Sequence, residues 1–202
     1  MQRIEDMKKE MRKKDAGTIF NPVMYLMILI LTAQLLVLFV EYKRVAWLSG
    51  CVTNAMTDAL LGACTLNEDE LLRFGSSDEL EILYPEEKYN IFRDILREEL
   101  GLTADMQAGE KSAPLIQGKV EIKGFKVYSV CNDDLTVYDF DEAADCTVTR
   151  LEDEAGTFTA DNGKVIEETT LVAEIGFTVE FLGAPVEVTK YHMVDVAKHA
   201  GR

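Results

Sequence analysis

The sequence predicts an α+β protein: one long N-terminal helix, followed by an antiparallel β-sheet domain with helices packed on one side. Three observations predict it. Ala16 to Val40 contains no Asp, Glu, Lys or Arg. Helical spacing of apolar residues resumes directly after this run and recurs near residue 90. Beyond Pro114 the apolar period changes from three or four to two, the alternation of half-buried strands.

The first element is a membrane span over residues 16–41, preceded by a basic N-terminus over 1–15. At about 1.5 Å per residue, eighteen to twenty helical residues cover about 27 to 30 Å, the hydrocarbon thickness of a bilayer. Only Tyr25, Thr32 and Gln34 interrupt the apolar run from Val23 to Val40. Arg3, Lys8, Lys9, Arg12, Lys13 and Lys14 precede the span, against Lys43 and Arg44 soon after it, which places the N-terminus in the cytoplasm and the rest outside as a single-pass protein of the cell membrane. Signal cleavage is disfavoured, because charged Glu41, Lys43 and Arg44 rather than small residues follow the run. Leu48-Ser49-Gly50-Cys51 has the form of a lipobox, but those charges separate it from the apolar segment.

The second element continues the helix as a stalk over residues 42–66. Val45, Leu48, Val52, Ala55, Met56, Ala59, Leu60, Gly62 and Ala63 share one helical face, and no proline divides them from the span. Ala55, Ala59, Gly62 and Ala63 are small enough to admit another helix closely, so they form a candidate helix-packing face. The plainer reading of the same face, which ranks ahead of it, is a single amphipathic helix lying on its own domain, and both can be true of one helix.

An extracytoplasmic α+β domain is expected over residues 67–202. Asn67 and Glu70 read as a capping box opening a short helix that Phe74-Gly75 closes. Pro85, Glu86 and Glu87 open a second helix, whose apolar face is Tyr89, Phe92, Ile95, Leu96 and Leu100 and which Gly101 ends. Thr103 to Ala113 is expected to be a flexible link. Strands follow around Val120–Ile122, Phe125–Ser129, Leu135–Val137 and Thr147–Thr149, then a hairpin at Asp161-Asn162-Gly163. Two longer strands, Thr170 to Leu182 and Val186 to Val196, complete a meandering sheet.

Charge bounds the partners. The whole chain carries −15. Its first 41 residues hold six basic and five acidic side chains, so the exported part is more acidic still. Such a field repels nucleic acid, and no nucleic-acid partner is expected. Asp133, Asp134, Asp139, Asp141, Glu142 and Asp145 are the densest acidic cluster, but they lack the glycine and the alternating aspartates of an EF-hand loop. Calcium there is a minor alternative to a solvated loop, and no cofactor is expected. Four cysteines allow three pairings. Cys131 and Cys146 would close a hairpin across the acidic segment, whereas Cys51 and Cys64 point to different sides of one helix. No phosphate loop, G-x-S-x-G elbow, H-E-x-x-H helix or dinucleotide turn is present, and His192 and His199 have no nucleophile in a recognisable motif beside them. The sequence therefore reads as a non-enzyme without catalytic or metal-binding residues.

The basic start, the early span, Glu41-Tyr42-Lys43-Arg44-Val45 at its outer boundary and Val52-Thr53-Asn54-Ala55-Met56-Thr57-Asp58-Ala59-Leu60 beyond it resemble the TadE/TadG-like proteins. These are pilin-like components of tight-adherence pilus and type IV secretion systems in bacteria. The resemblance covers residues 1–65. It implies a pilin-like fold, a membrane and other pilin-like or secretion-system subunits as partners, and action by helix packing and protein–protein contact. One departure bears on the role. Gly17 follows Lys13 and Lys14 as a processing glycine would, but the fifth residue beyond it is Pro22 where that family's processed subunits carry Glu. The expectation is therefore a minor, pseudopilin-like component. The alternative is an independent membrane-anchored domain that senses a ligand or cation.

Overall fold

The computed structural model describes residues 2–77, 81–110, 112 and 116–196. The chain is α+β, with three helices and five strands among the described residues, and it divides into two compact units, Met1–Arg44 and Val45–Arg202.

Helix α1, Gln2–Ala63, contributes to both units. In the first unit its apolar residues are exposed among the described residues: Leu26, Leu29, Leu35 and Leu36 are each more than half exposed. The one helix among the described residues that is long and apolar enough to cross a membrane is this one, near the N-terminus. Thr32 donates its hydroxyl proton to the Ile28 carbonyl at 2.7 Å, so the hydroxyl needs no partner outside the helix.

The second unit begins at Val45, not at residue 67. Leu48, Val52, Ala55, Met56, Ala59, Leu60 and Ala63 are all buried in its main hydrophobic cluster, so the stretch expected to continue from the span is an amphipathic helix lying on its own domain and forms that domain's core helix. Asn54, Asp58 and Leu61 occupy the exposed side.

Helix α2, Glu68–Ser77, opens with the expected capping box. The Glu70 N–H donates to Asn67 Oδ1 at 2.9 Å, and the Asn67 N–H donates to Glu70 Oε2 at 3.1 Å. Its helical backbone runs through Gly75, two residues beyond the stop signal. Helix α3, Pro85–Glu99, starts with Pro in its first turn and ends in a Schellman motif. Gly101, at φ 64°, donates to the Glu98 carbonyl, and Leu102 donates to that of Arg97. The segment after it is less of a link than expected. Thr103 bonds Gln107, and Ala108 and Val120 donate to the Gly118 and Met106 carbonyls, which ties residues 103–108 to the first strand.

The strands are β1 (Ile116–Cys131), β2 (Asp134–Phe140), β3 (Cys146–Leu151), β4 (Thr170–Phe181) and β5 (Ala184–Asp195). All neighbours are antiparallel, in the order β3-β2-β1-β4-β5. The sheet is thus not a simple meander. After β3 the chain returns past β2 to place β4 beside β1, and it buries β4 between β1 and β5. The two segments expected around Val120 and Phe125 are one strand, β1, whose pairing with β4 shifts register between Gln117 and Glu121 and again between Ile122 and Gly124. Two hairpins use two-residue turns with both residues at positive φ: Asn132-Asp133 (50° and 67°) and Leu182-Gly183 (52° and 78°). That is the type I′ geometry matching strand twist.

One sheet face carries Phe125, Val127, Phe140, Leu171, Ala173, Ile175 and Phe177 into the cluster formed with α1 and α3. Within it Tyr89 stacks on Phe140 at 5.2 Å, and Phe92 lies 5.1 Å from Phe125. The other face is covered at one end by the connection 152–169, where Ala160 and Ile166 pack on Tyr128, Leu135 and Val172. The predicted Asp161-Asn162-Gly163 turn lies in this connection. Ala160 donates to the Lys164 carbonyl and Gly163, at φ 83°, to that of Ala160, but only an isolated Thr159–Val165 bridge forms beside it. Lys126 clamps the connection to the sheet through Asp161 at 2.7 Å and Asp139 at 3.2 Å.

Candidate functional site

The small-residue face lies inside the domain, and at Gly62 it meets the domain's own α3. A side chain added at Gly62 would run into Ile95 Cδ1, with Ile95 Cγ1 at 3.7 Å and Ile91 Cγ2 at 3.9 Å. Ala55, Ala59 and Ala63 are buried beside it. The reason is close approach: without a Cβ at residue 62, the two isoleucines of α3 rest directly on the α1 backbone.

The Cys131–Cys146 pairing is corrected by the register. Cys131 lies opposite Asp134 at one end of β2, and Cys146 lies opposite Phe140 at the other. Six residues of strand hold them about 20 Å apart, several times the reach of a disulfide. Cys51, Cys64 and Cys146 form no disulfide. Burial pushes the Cys64 thiol up to about 11, with Lys88 opposing and Asp195 adding to the rise, and burial likewise raises Cys146. Alkylation at neutral pH followed by peptide mapping after cleavage at aspartate is expected to recover Cys131 and Cys146 in separate peptides and to modify Cys64 slowly; a Cys131–Cys146 bridged peptide would contradict this register.

The acidic cluster is dispersed in the same way. Asp133 and Asp134 lie at the β1–β2 turn, Asp139 pairs with Lys126, and Asp141, Glu142 and Asp145 lie beyond the far end of β2. Asp141 Oδ1 accepts the Ala143 and Asp145 N–H groups at 2.8 and 3.0 Å, so it serves its own turn. Among the described residues no group of three or more His, Cys, Asp or Glu side chains converges as a metal would require.

Two polar constellations were not assembled by the sequence. The first is a buried ion pair: Lys88 Nζ donates to Glu70 Oε2 at 2.7 Å and to the Thr65 carbonyl at 2.6 Å, and both side chains are essentially inaccessible. Glu70 Oε1 also accepts the Leu83 N–H at 3.0 Å. Burial alone would raise the Glu70 carboxyl, but the Lys88 ammonium and the Asn67 and Leu83 N–H groups together hold it below its ordinary value. Lys88 shares a helical face with Phe92 and Leu96, four and eight residues on, which is the signal in the sequence that it is buried.

The second constellation joins α1 to the edge strand β5. Thr57 Oγ1 lies 2.9 Å from His192 Nε2 and donates its own proton to the Thr53 carbonyl at 2.8 Å. With that proton committed, His192 Nε2 is the donor. Burial lowers the histidine's pKa, so the neutral Nε2–H tautomer is the state near pH 7. His199 lies outside the described residues.

An open groove of about 710 Å³ runs along the first turns of α3. Leu83, Pro85, Ile91 and Ile95 line it with apolar surface, and Glu86, Glu87 and Asp94 rim it. Tyr84, 43% exposed, stands at its edge with its hydroxyl donating to Asp69 Oδ2 at 3.0 Å. That hydrogen bond holds the phenol above its usual pKa range.

These features define a class, an α+β domain whose core helix belongs to the same α-helix as a span-length apolar segment. The chain matches no family model, no curated protein and no solved structure.

Proposed function

We propose that the protein is a single-span, membrane-anchored, extracytoplasmic component of a pilin-like assembly, and that it acts by helix packing and protein–protein contact. The observation that carries this reading is α1. One helix supplies both an uncharged, exposed apolar segment and the core helix against which an antiparallel sheet packs. The basic residues ahead of the span orient it with the N-terminus in the cytoplasm. Pro22 in place of the expected carboxylate favours a minor, pseudopilin-like role over a main filament subunit.

The second reading is an independent membrane-anchored binding or sensing domain. It is favoured by the use of Gly62 and its neighbours inside the domain, which removes that face from intermolecular packing.

Photo-crosslinking from Leu31, 58% exposed in the apolar segment, separates the two. Discrete adducts with itself or with other single-span subunits are expected for an assembly component. A strictly monomeric span in cells would sink the assembly reading and leave the anchored domain.

Membrane insertion has its own readout, because Trp47 is the only tryptophan in the chain and is 58% exposed. Just beyond the apolar run, an indole belongs in the headgroup layer. On reconstitution from detergent-free solution into vesicles its emission is expected to shift to shorter wavelength and to be quenched by lipids brominated near the glycerol. A water-like emission untouched by such lipids would place the residue away from the bilayer.

A further inference from the structure

The groove along α3 carries an inference that is independent of the filament reading. The buried face of α3 is Lys88, Tyr89, Phe92 and Leu96. Glu87, Asn90, Ile91 and Asp94, spaced by three, one and three, form a second stripe that the domain leaves open to solvent as the groove. The rim carboxylates have a local reason to be there, since Glu86 and Glu87 complement the positive end of the helix dipole. That reason does not account for the apolar floor or for Tyr84, whose exposed ring is fixed at the edge by its bond to Asp69.

The rim is also under-neutralised. Glu86 and Glu87 have no ion-pair partner among the described residues, and Asp94 meets Arg93 and Arg97 only at 3.5 and 3.7 Å. Among the described residues no lysine or arginine lines the groove. We propose that the groove docks a basic amphipathic segment of a partner protein, with apolar side chains against Leu83, Tyr84 and Ile91 and lysine or arginine heads against Glu86 and Glu87.

Charge selects this occupant over the other candidates. A second copy would bring its own three carboxylates to the same rim, and anionic lipid headgroups would be repelled by them. An enclosed small ligand would leave much of its surface wet in a groove open along one side, whereas a segment lying across it covers both floor and rim.

The test uses the full chain in nanodiscs of zwitterionic lipid and a labelled helical peptide with leucines on one face and lysines on the other, read by fluorescence anisotropy at physiological salt. Glu86→Lys with Glu87→Lys is expected to weaken binding by about tenfold or more, because two attractions become repulsions. Tyr84→Ala, at an exposed position, is expected to weaken it several-fold. A control reversal of the exposed Glu152 and Glu167, in the connection on the other sheet face, changes net charge equally and is expected to stay within about twofold, being screened over that distance. Equal losses for both charge reversals, undiminished binding by Tyr84→Ala, equal binding of a peptide with serines in place of the leucines, or no binding by the unaltered chain would each overturn the proposal.

Discussion

Replacing Glu70 by alanine will destabilise the α+β domain by about 3 to 5 kcal/mol, because it strands the Lys88 ammonium where water does not reach. The pair is inaccessible on both sides, at 1% and 0% side-chain exposure. Without Glu70 the ammonium keeps only the Thr65 carbonyl, and the Leu83 N–H loses its acceptor as well. Part of the loss also falls on the start of α2, since the same carboxylate closes the capping box. Urea unfolding of the full chain in detergent, followed through the β-sheet circular dichroism signal, measures it. Glu70→Gln keeps the shape and an acceptor and is expected to lose less. Glu70→Leu combined with Lys88→Met removes both charges and is expected to recover most of the stability lost by Glu70→Ala, because an apolar pair of similar volume needs no solvation. A single Glu70→Ala effect below about 1 kcal/mol would mean that water reaches the pair.

The same carboxylate sets an acid limb. Its pKa is depressed in the folded state, so its contribution is complete above the ordinary glutamate value of 4.5 and is lost as pH falls through the lower folded value. Asp195 behaves alike: burial would raise it, but bonds from Lys164 and Thr170 hold it below its ordinary value. Stability should therefore fall below about pH 4.5, and Glu70→Gln should flatten that fall without abolishing it. An unchanged acid limb in Glu70→Gln would assign the whole of it to Asp195 and other groups.

Local signals in the chain were strong where a few neighbouring residues decide the outcome. Asn67 and Glu70 cap α2, Gly101 ends α3, and the apolar stripe Tyr89, Phe92 and Leu96 faces the core because each depends on contacts within one or two turns. The small-residue face was equally visible, but its occupant was not. Nothing in Ala55, Ala59, Gly62 and Ala63 says whether the approaching helix belongs to another molecule or lies about thirty residues further on. Strand order was illegible for the same reason. Placing β4 beside β1 depends on pairing Ile116 with Val179 and Tyr128 with Thr170 across intervening strands, and alternation along each strand is indifferent to which neighbour it takes. The disulfide expectation failed at this step: Cys131 and Cys146 flank one acidic segment, and only the knowledge that this segment is a strand puts them at its opposite ends. Glu70 was legible as a cap and not as an ion-pair partner, since Lys88 approaches it from the next helix.

Gly62→Leu is the second large effect, and it decides what the small-residue face is for. An added Cβ already overlaps Ile95 Cδ1, and Ile95 Cγ1 and Ile91 Cγ2 stand at 3.7 and 3.9 Å. For Gly62→Ala the obstruction is the end of a flexible side chain. The gain of about 1 kcal/mol in helix propensity offsets much of the cost of moving that methyl, so little net change is expected. Leucine has no such escape, because its further carbons need the volume that both isoleucines fill; overpacking there is expected to cost about 1 to 3 kcal/mol. Leu61→Phe, at a position 52% exposed one residue away, should stay within about 0.5 kcal/mol. The decisive measurement is the double variant Gly62→Leu with Ile95→Ala. If α3 of the same chain fills the face, trimming Ile95 makes room for the leucine, and the two changes should couple by about 1 kcal/mol or more in the stability of an isolated chain. If a partner's helix filled it, Gly62→Leu would leave the isolated domain as stable as before and weaken association instead, and Ile95→Ala would rescue nothing. The packing of Ile95 on Gly62 requires the first outcome.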